Sequence, residues 1–167
     1  MNFKKSSLLI FVFIIILSGL PGCSKTVDLE EMPVDFDFRL SYGTYGKQKI
    51  DTFNDTVVKD LVEDGTVEAN ITLTEQEMEQ IYKQMMSIDI MESVVEIDEK
   101  ECDVTPSSFT KWDIQMNGKT TSFYTKNYCD DYPEYTLKLL KLADFIHNII
   151  INKEEYKELP ESKGYYE

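Results

Sequence analysis

Hydrophobic residues recur along this chain with two different periods, and the switches between them mark out its elements. Phe36, Phe38, Leu40 and Tyr42 alternate with Asp37, Arg39 and Ser41, the period-two pattern of a strand with one buried face. Gly43 and Gly46 punctuate its end. Weaker alternation through residues 48–53 and 56–61 predicts two further strands, diluted by the polar Asp51, Asn54 and Asp55. Asp64-Gly65 is a turn signal. Beyond it Val67, Ala69, Ile71 and Leu73 alternate with Glu68, Asn70 and Thr72, giving a strand that runs straight into a helix. Thr74-Glu75-Gln76-Glu77 has the form of a capping box, in which the Glu77 amide donates to the Thr74 hydroxyl and the Glu77 carboxylate reaches back. Met78, Ile81, Tyr82 and Met85 then follow at helical spacing. Methionine fills irregular cores, so this stripe reads as core, with a methionine-rich binding groove as the sharper alternative.

Asn117-Gly118, flanked by period-two segments between residues 110 and 125, is the strongest local signal and calls for a type I′ hairpin. In that register Met116 faces Lys119, Ile114 faces Thr121 and Trp112 faces Phe123, and the aromatic pair pins the register. Trp112 alternates in phase with Ile114 and Met116, which makes it a core residue rather than a ligand platform. Pro133, with Asp130, Asp131 and Glu134 nearby, marks a helix start where acidic side chains complement the dipole. Tyr135, Leu139, Leu142, Ala143, Ile146, Ile149 and Ile150 form the apolar stripe of that long C-terminal helix. After Lys153 the chain is polar again, with Tyr156, Leu159, Tyr165 and Tyr166 as docking points, and Pro160 and Gly164 opposing continued helix. The order of elements predicts an α+β domain, a mostly antiparallel sheet of about four to six strands with two helices packed on one face.

The N-terminus follows a different logic. Lys4 and Lys5 precede an unbroken apolar run over residues 8–17, and Gly19, Pro21 and Gly22 stop that run well short of the roughly 20 residues a span needs. The segment Leu20-Pro21-Gly22-Cys23 resembles the lipobox of bacterial lipoprotein precursors. That resemblance implies lipidation of Cys23, cleavage after Gly22 and retention at the membrane by two acyl chains. The alternative is a secreted protein with Cys23 an incidental thiol. On this reading residues 1–22 are a signal peptide, 23–35 the anchor and spacer, 36–153 the globular domain and 154–167 a polar tail. At roughly 3.3 Å per residue the spacer reaches up to about 40 Å from the bilayer.

Without residues 1–22 the chain holds 145 residues, one domain's worth, with 15 basic against 31 acidic side chains and a net charge of −16. Nothing interrupts this acidity with a Lys/Arg cluster able to contact phosphates, which argues against nucleic acid as a partner. Solubility alone accounts for such a surface, and a basic protein partner or loosely held cations are the alternatives. Cys102 and Cys129 remain as an even pair in an exported domain, a candidate disulfide worth about 3–4 kcal/mol through loop closure. Their spacing suggests neither a zinc site nor a redox pair.

The sequence carries no nucleophile elbow, no phosphate-cradling glycine loop and no His/Cys/Glu set at metal-ligand spacing. No cofactor is expected. The single histidine, His147, lies in the C-terminal helix, where a solvated or capped role is the ordinary one. The acidic runs over residues 96–103 and 130–134 bracket the hairpin and would bind calcium weakly if they converged, but neither matches a calcium loop. Arg39, the only arginine, either orients a carboxylate ligand or pairs with Asp37 or a neighbouring strand.

Tyr42-Gly43, Asp51-Thr52-Phe53, the segment Leu73-Thr74-Glu75-Gln76-Glu77-Met78 and the tail Glu154-Glu155-Tyr156-Lys157-Glu158-Leu159-Pro160 resemble a group of small lipoproteins of Gram-positive bacteria whose activity is uncharacterised. The resemblance brings no ligand. Together these readings lead to the expectation of a lipid-anchored envelope protein on the extracytoplasmic face of the cell membrane. Its domain would bind a basic envelope protein or a small ligand. The alternatives are an inhibitor protecting against a basic wall-active enzyme, or an envelope hydrolase.

Overall fold

The computed structural model describes residues 31–92, 105–126 and 132–167. They form an α+β domain around one six-stranded antiparallel sheet, ordered β4-β3-β2-β1-β5-β6. The strands are β1 (Asp37–Tyr42), β2 (Gln48–Asp51), β3 (Thr56–Val62), β4 (Gly65–Asn70), β5 (Phe109–Met116) and β6 (Lys119–Lys126). Helix α1 (Glu75–Ser87) joins the two halves of the sheet, and α2 (Glu134–Ile151) with the one-turn α3 (Glu154–Lys157) follows it.

Alternation decides which face is covered. Phe38 and Leu40 of β1, Ile50 of β2, Val57 of β3, and Trp112, Ile114 and Met116 of β5 all point to one side and are buried there. The helices bring Ile81, Tyr82 and Met85 of α1 and Leu139, Leu142, Ala143, Ile146 and Ile150 of α2 into the same continuous core. The methionine stripe is therefore core. On the opposite face Arg39, Ser41, Lys49, Val58, Lys111, Asp113, Ser122 and Tyr124 alternate with these residues, as the pleat requires.

The turns follow the local chemistry. Asn117 and Gly118 both have positive φ, 52° and 68°, as a type I′ turn demands, and the pairs Met116–Lys119, Ile114–Thr121 and Trp112–Phe123 form in the anticipated register. Trp112 is fully buried, its ring stacked on Phe123 with centroids 6.5 Å apart. The α1 capping box is complete: the Glu77 amide donates to Thr74 Oγ1 at 3.3 Å and the Thr74 amide donates to the Glu77 carboxylate at 2.8 Å. Lys153, at the end of α2, lies 2.5 Å from that same carboxylate, so the cap of one helix is tied to the exit of the other.

β2 stops at Asp51, two residues before its alternation suggests. Thr52 leaves the ladder because its hydroxyl has other partners: it donates to Asp37 at 2.8 Å while accepting the Phe38 amide at 2.8 Å. Across from it, Arg39 Nε donates to Asp51 at 2.7 Å, Asn54 adds a bond at 3.1 Å, and Asp113 lies 3.8 Å away. Arg39 thus pairs with the neighbouring strands. Asp35 closes the same end of the sheet, accepting the Asn117 and Gly118 amides at 2.9 and 2.7 Å.

The residues after α3 pack back onto β3, where β2 is too short to pair. The Lys163 amide donates to the Leu61 carbonyl and the Glu63 amide to the Lys163 carbonyl, each at 3.2 Å. Just there β3 carries a bulge between Asp60 and Val62. The Asp60 carboxylate holds it by accepting the Val62 amide at 3.0 Å and the Tyr166 hydroxyl at 2.7 Å. Gly164, with φ of 79°, passes so close to Glu63 that a Cβ would lie 2.4 Å from its carboxylate, so only glycine serves.

Candidate functional site

At the end of the sheet opposite Asp35 and the Asn117-Gly118 turn the side chains surround a cleft of about 220 Å³. Its rim starts where β1 ends. Gly43 has φ of 79° and reverses the chain; Thr44 bridges to Ser108, the Tyr45 amide donates to the Ser107 carbonyl at 2.9 Å, and the Phe109 amide returns to Gly43. The loop before β5 is thereby fastened to the loop after β1. Gly46 makes room for the Phe109 ring, which lies 2.3 Å from where a Cβ would stand, and that ring becomes a wall of the cleft. Thr110 and Thr125 sit opposite each other on β5 and β6, buried, with hydroxyls 2.5 Å apart. Their hydroxyls spend their polarity on each other.

The remaining wall is one turn of α2, with Leu140, Ala143 and Asp144, joined by Tyr132 just before the helix. Among the described residues lining the cleft, Asp144 alone carries a formal charge, and Tyr42, Phe109 and Tyr132 supply aromatic rings. Next to this wall His147 departs from the solvated role expected of it. Its Nδ1 and the Tyr42 hydroxyl share a hydrogen bond at 2.7 Å, and the two rings meet edge to face at 5.5 Å. The reason is geometric: α2 crosses the end of β1, so a residue just outside the main apolar stripe meets the last residue of the strand. Burial pushes the His147 pKa down, with Asp144 opposing, and burial pushes the Tyr42 hydroxyl well up. At neutral pH both groups are uncharged, and the bond fixes the Tyr42 ring at the cleft.

Little of this was visible as a site in the sequence. Leu140, Asp144 and His147 follow one another at helical spacing, one position off the core stripe, and that second stripe is the signal that marks the cleft wall. Arg39 is brought together with Asp51, Asn54 and Asp113 on the open face, under Phe53, whose ring centroid is 5.6 Å from the guanidinium carbon. Hydrogen bonds to Arg39 and Asn54 outweigh burial and hold the Asp51 carboxyl below its ordinary pKa. Cys23, Cys102 and Cys129 lie outside the described residues, as do the acidic run over residues 96–103 and both aspartates of the second run. Among the described residues no group of His, Cys, Asp and Glu is placed to hold a metal ion, and no helix is long and apolar enough to cross a membrane. No protein-family model matches the chain, and no curated protein matches it.

Proposed function

We propose that this protein is a lipid-anchored envelope protein, held through Cys23 on the extracytoplasmic face of the membrane, whose folded domain is a binding module that takes a small ligand in the cleft. The N-terminal charge, apolar run and Leu20-Pro21-Gly22-Cys23 segment support the anchor. The observation that carries the binding reading is the position of the cleft. The chain enters the domain beside the Asn117-Gly118 turn, where Asp35 is fixed, while Tyr42, Phe109 and Thr125 lie at the opposite strand ends. Along the eight residues of β5 that separation is about 24 Å. The concave, aromatic-walled site thus lies at the strand ends away from the point where the chain enters the domain. Such a cleft, mostly apolar with a few polar groups on its rim, has the character of a small-molecule site.

Two measurements test this. Detergent partition and mass spectrometry of the mature N-terminus are expected to give a diacylglyceryl-modified Cys23, and a chain released into the medium with an unmodified N-terminus would remove the anchor. Native mass spectrometry of the protein purified from its own membranes is expected to detect a small bound molecule that Leu140→Trp, which fills the cleft, displaces. An adduct retained by that variant would place the site elsewhere.

A further inference from the structure

We propose that the cleft selects a small ammonium ion with an apolar body, held between the aromatic rings of Tyr42, Phe109 and Tyr132 with its charge toward Asp144. This deepens the reading of the cleft as a ligand site and rests on it.

The argument begins with charge. Among the described lining residues the Asp144 carboxylate is unopposed by any Lys, Arg or charged His, so an anion entering the cleft would meet repulsion and a cation attraction. A domain with 15 basic and 31 acidic side chains after residue 22 extends the same field outward and raises the local concentration of cations at its clefts. Rings follow. The faces of Tyr and Phe attract cations within about 6 Å of their centroids, more strongly where water is excluded. The domain already uses this attraction among its own groups, most closely with Lys47 Nζ 4.7 Å from the Tyr166 ring centroid and Lys59 Nζ 4.9 Å from that of Tyr156.

Size and shape narrow the class. A volume of 220 Å³ equals that of about seven liquid waters at roughly 30 Å³ each, which suits an amine with one ring or a short branched chain. Leu140, Ala143 and the Thr110–Thr125 pair, whose hydroxyls satisfy each other, give the apolar body a surface to cover. The Tyr42–His147 bond and the close seat of Phe109 against Gly46 hold two of the three rings before any ligand arrives, which lowers the ordering cost of binding.

The test uses the full-length lipidated protein in detergent micelles, titrated with benzylammonium, benzyl alcohol and benzoate, which share a ring and differ in charge. Backbone amide shifts and calorimetry against a protein-free micelle blank are the readouts. Benzylammonium is expected to move the amides of Tyr42, Gly43, Phe109 and Thr110 and to bind at least about tenfold more tightly than benzyl alcohol, with benzoate weakest. Asp144→Asn, an exposed substitution, is expected to weaken benzylammonium by about fivefold, the scale of one solvent-screened ion pair, and to leave benzyl alcohol unchanged. Glu68→Gln on the open sheet face, which changes net charge equally, is expected to leave both unchanged. Equal binding of the alcohol and the ammonium, or an Asp144→Asn variant as strong as the parent, would overturn the ammonium inference while keeping the cleft as a ligand site. Failure of all three probes to move those amides would overturn both.

Discussion

The two ends of the sheet are built from similar residues and treat them in opposite ways. At the end where the chain enters, polar side chains are spent on one another: Asp35 on the Asn117-Gly118 turn, Thr52 on Asp37 and Phe38, Asp51 on Arg39 and Asn54. At the far end Thr110 and Thr125 also satisfy each other and Tyr42 is fastened to His147, yet these pairs frame a cleft instead of filling it, with Asp144 at its rim. The difference teaches that polar residues at the entry end are consumed in construction, whereas at the far end, beside the Asp60–Tyr166 tie, they also frame an open cleft. Arg39, which chemistry alone made a candidate for carboxylate binding, belongs to the construction. Phe53 lies over the guanidinium and Asp51 beneath is 3% exposed.

The largest expected effect breaks both ends together. Trp112 lies in the middle of β5, fully buried, and connects the Phe38–Ile114 layer to the Thr110–Thr125 floor. Trp112→Ala is expected to cost about 3–5 kcal/mol in chemical unfolding, and amide spectra should degrade at the hairpin turn and at the cleft alike. Trp112→Phe should cost far less, because the buried indole Nε1 has no hydrogen-bond partner among the described residues and its removal relieves that group. A spectrum disturbed at one end only would show that the two ends are separate packing units.

A smaller effect separates them. Asp51→Ala removes two hydrogen bonds at the entry end and leaves Arg39 with Asp113 at 3.8 Å, for an expected cost of about 1–3 kcal/mol. Benzylammonium affinity at the cleft should not change. An affinity that fell with stability would show that the Arg39 network reaches the site, and the contrast between construction and function would fail.

How much of this was legible before the structure depends on how far apart the partners are. The type I′ hairpin could be read because Asn117 and Gly118 are adjacent and few other residues accept two positive φ values. The capping box could be read because Thr74 and Glu77 are three apart. The covered face followed from the alternation of Phe38 and Leu40 with Arg39 and Ser41. Asp35 is 82 residues from Asn117 and Tyr42 is 105 from His147, and no local period encodes such a meeting. The strand expected over residues 48–53 forms but ends early at Asp51 for the same reason, since Thr52 is drawn out of the ladder by partners on β1. The cleft itself arises where one turn of α2 passes the ends of three strands, and it leaves only the faint second stripe of Leu140, Asp144 and His147.

The smallest effect is a pH dependence that isolates the cleft end, because His147 is the chain's only histidine and no other side chain at its ordinary pKa changes charge between pH 5 and 8. Burial holds its folded pKa below the ordinary value of 6.5. In the interval between the folded and unfolded values the unfolded chain therefore binds more protons than the folded one, and stability rises with pH. The contribution is fully present above about 6.5, is lost as pH falls through the folded value, and does not change further below it. Asp51, Glu77 and Glu134, whose pKa values are lowered by their hydrogen bonds and ion pairs, add losses of the same sign that begin as pH falls into the ordinary carboxylate range and continue down through their folded values, below the interval in which His147 acts. Melting temperatures measured from pH 7.5 to 5 should thus show a shallow acid-side decline that His147→Gln abolishes. Tyr42→Phe should keep it, since burial rather than the phenol is the main cause of the shift. If Tyr42→Phe flattened the profile as fully as His147→Gln does, the shared hydrogen bond would be the controlling term, and the cleft's aromatic wall would itself be set by the protonation of His147.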